Sequence, residues 1–112
     1  MLGALLLAAT MGAQPPISIA SCSMRTSGSY ESGVSIGFRN VSNEPITKVT
    51  FHVHNGKHAV DVNDHGSFAP GTNVTHVLTT PTWELVHGDV ASCTVKSVTF
   101  ANGKVWEAPP HP

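Results

Sequence analysis

Charge is scarce in this chain. Asp, Glu, Lys and Arg make up 12% of its 112 residues, about half the share found in an ordinary globular protein, and the first charged side chain is Arg25. A formal net charge of -1 excludes a polybasic nucleic-acid surface and an acidic solvating tail alike. Leucine is also sparse. Four of the six lie in residues 1–13, leaving only Leu78 and Leu85 beyond them. No apolar run reaches the roughly 20 residues that a membrane-spanning helix needs, and there is no internal repeat. Val, Ile and Thr, by contrast, total 28 residues, a composition that favours strands over helices.

Residues 1–13 (MLGALLLAATMGA) contain only apolar, Gly and Thr residues. The run from Leu2 to Met11 has the length of a signal-peptide h-region, and Gly12 and Ala13 form a small-residue cleavage zone. No Lys or Arg precedes the run, so the amino terminus alone supplies positive charge. A buried N-terminal helix is the alternative, but the segment has no polar face and no capping residue. Pro15 and Pro16 then start an extended lead-in. The expected organisation is a signal peptide over 1–13 and one domain over 14–112, secreted or periplasmic. Cys22 and Cys93 are the only cysteines, and in an exported domain of this size they are expected to form a disulfide. Ile19-Ala20-Ser21-Cys22 also resembles a degenerate lipobox, which would place a lipid on Cys22 instead.

Strand-like segments recur along the rest, divided by Gly, Asn, Pro and Ser. The first runs from Ile17 to Arg25, with Ile17, Ile19 and Ser21 alternating against Ser18, Ala20 and Cys22. Val34, Ile36 and Phe38 share one face of the second. The third, Ile46 to His54, turns Val49, Phe51 and Val53 inward. Asn55-Gly56 follows, a strong hairpin signal, and predicts a register with His54 opposite Lys57, Phe51 opposite Val60 and Val49 opposite Val62. Asp64-His65-Gly66 and Pro70-Gly71 bracket a short irregular segment carrying Phe68, and a fifth strand spans Asn73 to Thr79. A loop from Thr80 to Asp89 holds Trp83, Leu85 and Val86. In the sixth strand, Val90 to Phe100, the apolar phase shifts between Val95 and Val98, which predicts a bulge near Lys96. Asn102-Gly103 turns the chain into a last strand with Val105 and Trp106. This spacing argues for an all-β fold, a single antiparallel β-sandwich of about seven strands.

Three stretches carry a resemblance: Ile36-Gly37-Phe38-Arg39-Asn40 with the following Ser-Asn-Glu-Pro turn, Gly66 to Gly71, and Val98 to Trp106. The layout resembles small exported bacterial immunoglobulin-like or fibronectin-like sandwiches of unassigned role. That resemblance implies a fold and an extracytoplasmic setting, and it carries over no catalytic residue. Phe51, rather than Trp, occupies the third strand, unlike in antibody domains.

Four features bear on chemistry. Gly33-Val34-Ser35-Ile36-Gly37 matches G-x-S-x-G, with Asp61 and His76 following in hydrolase order. A nucleophile elbow is a sharp strand-to-helix turn, whereas Ser35 falls in mid-strand, so no hydrolase is expected. His52 and His54 lie on the outer face of the third strand, where the predicted register places Asp61 diagonally near His52. Two imidazoles and a carboxylate there would give a weak zinc or copper site, opposed by Lys57 beside His54. Trp83 and Leu85 are the candidate contacts for a binding partner. Asn40-Val41-Ser42 and Asn73-Val74-Thr75 are glycosylation sequons. The expected function is a non-enzymatic binding or structural module at the cell surface or in the periplasm. Its partner would be a protein or surface polymer, with no nucleic acid and no resident cofactor. A metal-binding protein is the alternative.

Overall fold

β-branched residues alternating with polar ones form seven antiparallel strands in the computed structural model, which describes residues 14–26, 32–55, 58–80 and 92–109. The strands are β1 (Ile17–Thr26), β2 (Ser32–Asn40), β3 (Ile46–Asn55), β4 (His58–Phe68), β5 (Asn73–Thr80), β6 (Ser92–Phe100) and β7 (Val105–Glu107). They build a three-stranded sheet of order β1-β2-β5 and a four-stranded sheet of order β4-β3-β6-β7. The fold is the expected small β-sandwich. β4 stays paired with its hairpin partner β3, so the sheets divide three and four, unlike the four-plus-three division of antibody constant domains. Among the described residues there is no helix long and apolar enough to cross a membrane.

The inward faces meet in one core. Val34, Ile36 and Phe38 of β2 face Val49, Phe51 and Val53 of β3, all buried. Phe38 packs against Phe51 and against Phe68, with ring centroids 5.3 Å apart in each pair. Burial of each such side chain contributes roughly 1.5–3 kcal/mol. The disulfide Cys22–Cys93 joins β1 to β6 and so links the two sheets, with Cα atoms 6.0 Å apart.

Two bulges adjust the strand phase. In β1 the register shifts between Ile19 and Ser21, which makes Ala20 the extra residue. Ile17 and Ile19 face the core, and beyond the bulge Cys22 and Met24 pack against it. Ser21 was expected to share a face with Ile17 and Ile19. The bulge moves it outward and gives its place to the cysteine. Ser21 Oγ then lies 2.5 Å from where a Cβ on Gly37 would sit, so a side chain there would force the Ser21 hydroxyl to turn aside. In β6, Thr50 pairs with Ser97 and Phe51 with Val95. Lys96 is therefore the extra residue, where the sequence predicts it.

The β3–β4 hairpin departs from the expected register. Phe51 pairs with Val62, Val53 with Val60, His54 with Ala59 and Asn55 with His58, a slip of two residues from the register deduced from the turn. Because side chains alternate with a period of two, Val60 and Val62 still face inward. β4 also runs on through Phe68, where a short irregular segment was expected, with a register shift opposite Ile46 to Lys48. Residues 56 and 57 lie outside the described residues.

Two buried polar groups close the sandwich. Asn40, fully buried at the end of β2, donates through Nδ2 to the carbonyls of Glu44 and Phe68, both at 2.9 Å. Its Oδ1 accepts from Ser42 N at 2.9 Å and from Ser42 Oγ at 2.7 Å. Asp64, buried on the inner side of β4, accepts from His76 Nδ1 of β5 at 2.6 Å. That bond spans the two sheets along the edge where β4 faces β5.

Candidate functional site on the four-stranded sheet

The outward residues of β3, β4 and β6 form a polar face without large apolar side chains. On β3 these are Lys48, Thr50, His52 and His54, because their neighbours Val49, Phe51 and Val53 are buried. His52 pairs with Asp61 on one side and Thr94 on the other. The two-residue slip thus places Asp61 directly across from His52 rather than diagonal to it. His52 Nδ1 lies 2.7 Å from Asp61 Oδ1, with both side chains a little over one-third exposed. The bulge turns Lys96 onto the same face, and its Nζ lies 2.5 Å from Asp61 Oδ2. The hydrogen bond from Lys96, and after it the one from His52, hold the Asp61 carboxyl below its ordinary value.

Asp61 is therefore ionised and accepts at both oxygens, which puts the His52 proton on Nδ1. Nε2 of His52 is turned away from the carboxylate. The His54 ring stands next to that of His52, with centroids 4.9 Å apart at an interplanar angle of 64°. Opposite His54 are Ala59 on β4 and Ser92 on β6; Lys57, expected there, lies outside the described residues. Beside His52 runs an open groove of about 440 Å³, lined among others by Thr50, Thr94, Lys96, Ser97 and Glu107. Thr50 Oγ1 is tied to Asn63 Oδ1 at 2.7 Å.

The structure brings His52, His54 and Asp61 to one face, but Asp61 orients His52 instead of standing as a third ligand. Among the described residues no three of His, Cys, Asp and Glu are grouped so as to hold a metal ion. The hydrolase series does not assemble. Ser35 lies in mid-strand opposite Val77, His76 bonds Asp64, and Asp61 bonds His52 in the other sheet. Trp83 and Leu85 lie outside the described residues, as does His87. Of the two sequons, Asn40 has its whole amide engaged in the buried corner, whereas Asn73 is exposed at the start of β5.

Sequence reasoning missed two sites of buried polarity. Asn40 reads as a sequon, yet an Asn two residues before Ser at a strand end is also the signal of an Asx-type turn. Asp64 breaks the inward Val60-Val62 series, and no pattern within β4 reveals that a histidine of the other sheet meets it. In comparisons with known proteins, no family model and no curated protein matches this chain.

Proposed function

We propose that the protein is an exported β-sandwich acting outside the cytoplasm as a binding or structural module, not as an enzyme. The observation that carries this reading is the Cys22–Cys93 bridge between the two sheets, since structural disulfides persist in oxidising compartments. The apolar segment 1–13 fits export, with loss of a signal peptide. The contact surface is the polar face around His52, where the groove offers hydroxyl, ammonium and carboxylate groups to a protein or a surface polymer. Trp83 and Leu85, between β5 and β6 in sequence, are further contacts in this reading.

Photo-crosslinking in living cells tests the surface. A benzophenone amino acid at Thr94, on the four-stranded face, is compared with one at Ser35 on the outer side of β2. Adducts from Thr94 and none from Ser35 are expected. Equal adducts from both, or none from Thr94, would remove the four-stranded face as the contact surface.

A further inference from the structure

We propose that His52 and His54 are half of a zinc site that is completed by the same pair from a second copy of the chain. The proposal does not depend on where the protein is located, and it stands on the geometry of the outer face of β3. Two imidazoles at i and i+2 on a strand point to the same side, and here their ring centroids are 4.9 Å apart. Asp61, at 2.7 Å from His52 Nδ1, does for this ring what a carboxylate behind a metal-bound histidine does. It fixes the tautomer and turns Nε2 away from the carboxylate. Among the described residues, Lys96 on the same face is held by this carboxylate, so the two charges offset each other beside the ligands.

A single chain offers too few ligands. Zinc takes four in tetrahedral array, and among the described residues no third His, Cys, Asp or Glu joins the pair. A two-fold axis through the metal supplies the other two, because a symmetric contact repeats the same patch on both partners. The relief of the face permits the approach. His54 is flanked by Ala59 and Ser92, and His52 has Thr94 on its β6 side, so the directly opposite side chains other than Asp61 are short, while the longer Lys96 is held on Asp61. The ion then joins four Nε2 atoms, two from each sheet, and the pair of chains exists only while the metal is bound.

Sedimentation velocity on metal-free, disulfide-intact protein titrated with zinc chloride at pH 7.5 tests this. The expected result is conversion of monomer to dimer, complete at one zinc per two chains and reversed by chelator. A His52→Ala, His54→Ala double variant should stay monomeric with unchanged thermal unfolding. Asp61→Asn should still dimerise but need roughly 10–100-fold more free zinc. A protein that stays monomeric at every zinc concentration would overturn the proposal. So would zinc bound at one per chain without a change of mass, or a dimer that the double variant retains. An unaltered zinc requirement in Asp61→Asn would remove Asp61 as the positioning residue.

Discussion

Replacing Asn40 by Ala should be among the most damaging single changes outside the apolar core. Asn40 is fully buried, and its amide makes four hydrogen bonds that tie the end of β2 to the 42–44 turn and to the end of β4. A net contribution of roughly 0.5–1.5 kcal/mol per bond gives about 2–6 kcal/mol for the four, or about 3 kcal/mol with the unmet Phe68 carbonyl at the upper end of that scale and the other three bonds at the lower end. The Glu44 carbonyl is partly protected, since Ser42 Oγ lies 3.0 Å from it. For a domain of this size, about 3 kcal/mol corresponds to a fall in Tm of roughly 12–24 °C. Urea unfolding followed by far-ultraviolet circular dichroism, with the disulfide intact, gives the free energy directly. Asn40→Asp keeps the acceptor but sets a carboxylate oxygen against the Glu44 and Phe68 carbonyls at a fully buried site, and should destabilise at neutral pH at least as much as Ala. Asn43→Ala, at the exposed neighbour, should change stability by less than about 0.5 kcal/mol. An Asn40→Ala protein within about 1 kcal/mol of wild type would refute the idea that this amide holds the corner.

Three further outcomes are expected. The Cys22→Ser, Cys93→Ser double variant, which opens a bridge of sequence separation 71, should lose about 4 kcal/mol in urea unfolding on the chain-entropy scale; a loss under about 1 kcal/mol would contradict a structural role for the bridge. His76→Ala should destabilise by about 1–3 kcal/mol, because it strips buried Asp64 of its side-chain partner, and adding Asp64→Ala should recover part of that loss; equal destabilisation by single and double variants would mean that the bond does not couple the sheets. Asp61 has a folded pKa below its unfolded value of 3.8, so its contribution is present above the unfolded value and lost as pH falls through the folded one. Since Asp61 is more than one-third exposed, Asp61→Asn should cost less than about 1 kcal/mol at pH 7; the difference from wild type should vanish in acid, and a difference that grows in acid would reverse the assigned sign.

How much of this architecture can be read from the sequence depends on which features are periodic. β2, β3, β5 and the bulge at Lys96 are legible because apolar residues mark their phase directly. The β3–β4 register is less so: Asn55-Gly56 points to one pairing, the strands adopt another two residues away, and an even slip leaves the apolar faces unchanged. In the pairing adopted, His52 stands across from Asp61. The Ala20 bulge is invisible because Ser, Ala and Cys around it give no apolar contrast, so the inward turn of Cys22 cannot be seen. Asp64 and His76 belong to different sheets, and no local pattern encodes their meeting. Trp83 and Leu85 lie outside the described residues, so the contact role assigned to them rests on sequence alone.

We propose an exported sandwich locked by a bridge between its sheets. Intact-mass measurement on protein purified from its native host under denaturing, thiol-trapping conditions tests it most directly. The expected mass is that of a chain that has lost its apolar leader, lacks the two thiol hydrogens of Cys22 and Cys93, carries no lipid on Cys22 and takes up no alkylating reagent until it is reduced. A full-length chain with two alkylated thiols, or a lipid mass on Cys22, would contradict it.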